Sequence, residues 1–240
     1  MQKLRILFQD EHLVIVDKPA GMLVHPPEDS SLHRFTANQA TVLKLLKAQI
    51  GKWIYPVHRL DAATSGVLVL ALTSEMAGRL QKIFQTQEVK KTYLALVRGY
   101  TEISGEINSA LSADDEGVTL QEALTVYETL FQFELPIAQG NHQTARFSLV
   151  GVNPKTGRYH QIRRHFKRIS HPLIGDTVHG DGKQNRIWRE LTGDILLYLK
   201  AYSIEFFHPV TSERIKVNSR WSGSWQKVFD RAGICPNEID

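Results

Sequence analysis

Helix-like and strand-like segments are mixed along this sequence without a regular βαβ alternation. The strand-like segments look antiparallel, and no internal repeat or low-complexity stretch interrupts them. Those three observations predict an α+β fold, a mixed and largely antiparallel sheet with flanking helices. The chain has 240 residues, of which 42% are hydrophobic and 22% charged. That is enough for a sizeable core, and the composition excludes wholesale disorder. No linker marks a boundary, so residues 1–240 read as a single domain.

Each element has a local reason. Leu13–Val16 is a short apolar run that ends at Lys18-Pro19 and is followed by a turn at Gly21, hence a buried strand. Thr41–Ile50 places Val42, Leu45, Leu46 and Ile50 on one helical face. Val67–Leu72 is continuously apolar between Gly66 and Ser74, as in a central strand. Ser74 is then read as the cap of a helix reaching Gln87, with Met76, Leu80, Ile83 and Phe84 as its core stripe. Thr92–Val97 alternates, with Tyr93, Ala95 and Val97 on one face. Ala123–Leu135, Thr144–Val152 and Ile195–Val217 are further strand segments, the last bent by a turn around Pro209–Glu213. Residues 153–157, Asn-Pro-Lys-Thr-Gly, have turn chemistry.

Composition also narrows function. A single cysteine, Cys235, leaves no disulfide framework and no multi-thiolate zinc site, and suits a reducing compartment. The longest apolar run is too short to cross a bilayer, and Met1–Glu11 has no secretory signal, so the expected location is the cytoplasm. Net charge is +4, weak evidence by itself for a nucleic-acid partner. Its distribution says more. From Leu135 through Gly175 there is no Asp or Glu, whereas Arg146, Lys155, Arg158, Arg163, Arg164, Lys167, Arg168 and four histidines fall there. At 25 acids in the whole chain, a stretch of that length carries about four by chance. Two readings stand side by side: an ordinary solvated basic face, or a groove for a polyanion such as RNA.

The candidate chemistry centres on Asp61, the only carboxylate between Ser30 and Ser74. It sits in His58-Arg59-Leu60-Asp61-Ala62-Ala63-Thr64-Ser65-Gly66, directly before the most hydrophobic strand. A loop feeding a central strand can hold a reactive group rigidly. Thr64, Ser65 and Gly66 supply hydroxyls and amides to shape it. Composition alone favours an aspartate that only caps a turn, and the lack of a second nearby acid argues against glycosidase chemistry. His160, His165 and His171 raise a metalloenzyme reading. A spacing of five turns about 140° around a helix, however, and no cysteine or motif-spaced carboxylate joins them.

The segment around Asp61 resembles the catalytic signature of the RluA family of pseudouridine synthases, and the resemblance covers nearly the whole chain in the family's order. Val16-Asp17-Lys18-Pro19-Ala20-Gly21-Met22-Leu23-Val24-His25-Pro26 is similar to the family's opening segment. Lys91 to Gly99 is similar to the strand carrying its active-site tyrosine, and Gly157 to Arg163, then His165, His171-Pro172, Gly175-Asp176 and Gly180, to its later signature. Within the family, residues 171–186 resemble the TruC branch, which modifies transfer RNA at position sixty-five, near the junction of the T and acceptor stems. Three positions depart from the pattern. His179 stands where tyrosine is frequent, Lys200 where histidine is common, and Ser212 in place of a turn glycine. The start of the chain leaves no room for the S4-type domain of several relatives.

The resemblance implies a pseudouridine synthase catalytic fold with a central RNA-binding cleft, isomerising uridine in RNA without a cofactor or metal. The partner it implies is RNA, most of all tRNA, with no membrane and no obligate protein partner. Asp61 is implied as the essential carboxylate, whether it attacks C1′ or C6 or removes the C2′ proton. Tyr93 is implied to stack on the uracil, Arg163 to pair with Asp61, and Arg59 to fill the gap left by a flipped nucleotide. Arg158, Arg164, Lys167 and Arg168 are candidates for phosphate contacts. A uridine within an A-form stem must leave the stack to expose its glycosidic bond. The alternatives are a ribosomal-RNA target and a catalytically silent RNA-binding protein, the second disfavoured by Asp61, Tyr93 and Arg163 all being present.

Overall fold

The computed structural model describes residues 3–26, 40–86, 88–113, 119–138, 143–194 and 196–239. In chain order the elements are β1 (Arg5–Gln9), β2 (Leu13–Lys18), α1 (Val42–Ile50), β3 (Tyr55–Pro56), β4 (Ser65–Ala71) and α2 (Ser74–Gln85). There follow β5 (Lys90–Arg98), β6 (Ser104–Asn108), β7 (Leu111–Ser112), β8 (Leu120–Gln121), β9 (Leu124–Leu135) and β10 (Ala145–Pro154). The last are α3 (Gln161–Arg168), α4 (Gly182–Thr192), β11 (Leu199–Phe207), β12 (Arg214–Asn218) and α5 (Gly223–Ala232), with a 3-10 turn over Pro236–Glu238. The expected α+β class holds. The chain divides into two compact units, Met1–Lys91 with Ala201–Arg220, and Thr92–Lys200 with Trp221–Asp240.

The first unit is built on β4, whose run of valines and leucines is buried on both faces. β4 pairs antiparallel with β2, Leu13 opposite Ala71 and Lys18 opposite Gly66, and with β3 at its far end. β1 extends the sheet beyond β2, and β12 pairs with β11. Val67, Val69 and Ala71 point to the face that α2 covers with Met76, Ala77 and Leu80. The helix cap is Thr73, one residue before the expected Ser74, because Thr73 is extended and its hydroxyl accepts from Met76 N at 3.1 Å. The helix stops at Gln85, and Gln87, expected as its end, lies outside the described residues. α1 is capped by Thr41 and closed by Gly51 in the left-handed region, φ 70°. Gly66 admits no side chain, since a Cβ there would lie 2.1 Å from Ala201 O.

The second unit carries the strand order β5-β10-β9-β6, all antiparallel, with Tyr93 opposite Val152. α3 packs through Ile162, His165 and Phe166, the last ring 5.3 Å from Tyr127. An aromatic chain runs Phe133–Phe147–Trp188–Tyr198–Trp225, with centroids 5.2 to 5.7 Å apart. β10 continues through Asn153-Pro154, so the expected turn there starts two residues later, at Lys155. The stretch expected as strand from Ile195 becomes strand only at Leu199, and Ile195 lies outside the described residues. Among the described residues no helix is long and apolar enough to cross a membrane.

Candidate active site

In the first unit, Asp61 sits half-buried in the loop leading into β4, between the buried Leu60 and Thr64. Thr64 N donates to Asp61 O at 3.0 Å and closes the turn, while Gly21 N donates to Ala62 O at 2.8 Å. Lys18 completes the anchorage. The residue is 1% exposed, and its ammonium donates to Ala62 O at 2.9 Å, to Met22 O at 2.7 Å and to Pro19 O at 3.0 Å. A buried lysine therefore ties the opening segment to the residue after Asp61. Burial pulls its pKa from 10.5 down to about 7, and the Asp61 carboxylate opposes that fall.

On the other side of Asp61, His58 fixes the loop to the sheet. Its Nε2 accepts from Val69 N of β4 at 3.1 Å, and its ring stacks on Phe84 with centroids 4.8 Å apart. Burial, then the charge of Lys91, push its pKa down to about 3 against a backbone hydrogen bond at Arg59, so the ring is neutral at physiological pH. Arg59, next to it, is exposed. Neither Lys18 nor His58 was assigned a role from sequence, although both lie in quoted motifs. A lysine ending a strand that opens with four apolar residues was the one available signal.

In the second unit, Tyr93 lies half-buried on β5. Arg163 is buried on α3 and holds Asp176 with its planar fork, Nε to Oδ2 at 2.7 Å and Nη2 to Oδ1 at 2.9 Å. Asp176 is thus a carboxylate partner of Arg163 that the sequence reading had not assigned to it. Burial pushes Asp176 up, but the Arg163 hydrogen bonds, the His179 and Val178 amides and the Arg163 charge outweigh it and hold the carboxyl below its usual value. The surrounding glycines are spatial necessities. A Cβ at Gly175 would meet Leu196 O at 1.8 Å, and one at Gly180 would meet Asp176 O at 2.0 Å. Asn185 braces the same turn, accepting from Gly175 N and donating to Asp176 O, both at 2.8 Å.

The basic candidates on and before α3 differ in exposure. Lys167 and Arg168 are exposed. Arg164 is half-buried and donates to Ser112 O at 2.9 Å and Ser112 Oγ at 2.7 Å, while Arg158 Nε donates to Glu122 O at 3.0 Å. The three histidines have separate partners: His165 with Thr125 and Ser109, His171 with Arg98 O, and His160 with His179 at 2.9 Å. Among the described residues no three His, Cys, Asp or Glu side chains are gathered as a metal would need.

The model of the RNA pseudouridylate synthase family matches residues 12–168. Two similar curated relatives are the tRNA pseudouridine synthase C of Vibrio vulnificus, 41% identical over 95% of both chains, and that of Yersinia pestis, 42% identical over 98% of this chain and 94% of the relative. Among solved structures, human RNA Pseudouridylate Synthase Domain Containing 4 superposes with a TM-score of 0.72 at 24% identity, covering 95% of this chain and 93% of the other. Human RNA Pseudouridylate Synthase Domain Containing 1 gives 0.68 at 22%, covering 98% and 97%. These two establish the fold. The chain belongs to the RNA pseudouridylate synthase family, as its resemblance to the RluA signature led one to expect. It is an RNA pseudouridine synthase, an isomerase.

Proposed function

We propose that this enzyme isomerises one uridine of tRNA, in the T-stem and acceptor-stem region at position sixty-five, and that it does so in the cytoplasm with its two units acting as one catalytic domain. The observation that carries this reading is the anchorage of Asp61, on a loop held by Lys18, His58 and two buried neighbours. The relatives named tRNA pseudouridine synthase C support the choice of RNA.

In this reading the target uridine is flipped out of its stem at a cost of about a few kcal/mol. Arg59, exposed beside the loop, fills the gap. Asp61 acts on the flipped nucleotide, the N1–C1′ bond breaks, the uracil turns while held, C5 joins C1′ and gives up its proton, and N1 takes one up. Tyr93 stacks on the uracil, and Arg163 serves Asp61 with the part of its guanidinium that Asp176 does not hold. Asp176 then positions Arg163. Phosphate contacts from Lys167 and Arg168, with Arg158 and Arg164, offset the cost of flipping.

The test is a map of pseudouridine in total RNA from a deletion strain and from the same strain re-expressing this chain. A single tRNA uridine near the T–acceptor junction should lose the modification and regain it. Loss and recovery at a ribosomal-RNA site alone would overturn the tRNA assignment.

A further inference from the structure

Trp53 is 68% exposed, which for so large a side chain forgoes much apolar burial. Its backbone is nevertheless fixed. Gly51 N donates to Lys47 O and closes α1, Ile54 is buried, and Tyr55 and Pro56 pair with Ala71 and Leu70 of β4. The indole is therefore carried on a rigid support. Lys47 Nζ lies 3.2 Å from the ring centroid, a cation–π contact on one face.

The surroundings are basic. Residues 40–60 contain no Asp or Glu, and Lys52, beside Trp53, is exposed. Gln49 exchanges hydrogen bonds of 2.9 and 3.0 Å with the backbone of Leu4, which sets the exposed Lys3 and Arg5 next to α1. Asp17, opposite Arg5, has its carboxylate engaged by Ser219 Oγ and Arg220 N.

We propose that Trp53 with Lys47 and Lys52 is a second RNA contact, apart from the isomerisation site. An unpaired base of the substrate stacks on the indole face away from Lys47, and its flanking phosphates meet the two lysines. Charge decides the class of partner. Protein interfaces deplete lysine around their aromatic anchors, whereas a rigid aromatic among lysines is how unpaired nucleic acid is held. The inference rests on the RNA substrate of the family and not on which RNA it is.

The probe is the cellular RNA in which the wild-type enzyme makes pseudouridine, so a failure of the tRNA assignment changes the probe and leaves this test standing. Trp53→Ala should weaken equilibrium binding about tenfold, within the range for one base–aromatic stack. KM should rise by a similar factor while kcat at saturating RNA is unchanged, and Trp53→Phe should keep most of the affinity. Changing Lys47 and Lys52 together to Gln should flatten the dependence of log Kd on log salt by about 1 to 2. Fluorescence gives a second reading, since of the other three tryptophans Trp188 and Trp225 are buried and Trp221 is half-buried. RNA should shield the wild type from acrylamide quenching, and Trp53→Phe should lose most of that shielding. Affinity of Trp53→Ala within twofold of wild type, with no Trp53-dependent shielding, overturns the proposal. So does a change in sedimentation of the free protein with RNA affinity intact, which would make the patch a contact between copies of the chain.

Discussion

Lys18 beside the Asp61 loop and Arg163 on α3 are both cations sealed from water, and they are compensated in opposite ways. Arg163 faces a full carboxylate, Asp176, through two parallel hydrogen bonds. Lys18 donates to three neutral carbonyls. A guanidinium in such a fork does not titrate, and its partner is held ionised. Burial strips the Lys18 ammonium of water and lowers its pKa to about 7, against the attraction of the Asp61 carboxylate. The Asp61 loop is thus supported by a group that changes charge near neutrality, whereas the turn at Asp176 is supported by a pair that keeps its charge down to acid pH.

The largest effect should come from breaking the charged pair. Arg163→Met leaves Asp176 buried without a counter-charge, and Asp176→Asn does the converse. Each should cost about 3–5 kcal/mol in chemical denaturation. Arg163→Lys keeps the charge, loses the fork and should cost less. The sign for pH follows from the lowered Asp176 pKa: the stabilisation is present above the ordinary carboxylate range and is lost as pH falls through the depressed folded value. A loss below 1 kcal/mol in both variants would put the pair outside the fold's support.

Lys18→Met should cost less, about 1–3 kcal/mol, for buried carbonyls deprived of a donor. Its mark is the pH dependence. Because the folded pKa of Lys18 is lowered from 10.5 to about 7, the unfolded chain binds more protons between those values. Stability through this group therefore rises with pH across that window and is least below about 7. Denaturation at pH 7 and pH 10 should show that rise in the wild type and a smaller one in Lys18→Met. The same rise in both would remove Lys18 as its source.

These supports also mark how far the sequence could be read. Long apolar runs gave β4 and β2, and stripes at helical spacing gave α1 and α2, because burial on one or two faces leaves a periodic trace. The helices α4 and α5 were not seen, although Asp181 and Gly193 bracket the first and Ser222 and Gly233 the second. The buried face of the first is only Gln184 and Trp188, too sparse for periodicity to register. Trp225, Val228 and Phe229 of the second do stand at i, i+3 and i+4, a short helical stripe that went unread. Asp61 was legible through its motif. Lys18 was not, since its acceptors include Ala62 O, 44 residues away in sequence. The grip of Asp176 on Arg163 is likewise a property of the turn at Gly175, visible only once the backbone is in place.

A smaller contrast lies on α3 itself. Lys167→Gln should flatten the salt dependence of RNA binding by about 1 with little change in stability. Arg164→Gln should flatten it less and cost about 1 kcal/mol, because Ser112 loses its donor. Equal changes in slope would show that Arg164 meets phosphate as fully as Lys167 does.

The central claim is that Asp61 performs the isomerisation on the loop that Lys18 and His58 hold. Tritium release from tRNA labelled at uridine C5 tests it most directly, since forming the new C5 bond expels that hydrogen. Asp61→Asn removes the nucleophilic and basic carboxylate at nearly constant shape. It should bind the same RNA with affinity within a fewfold of wild type and release no tritium above background. Turnover by Asp61→Asn at a substantial fraction of the wild-type rate would contradict the account.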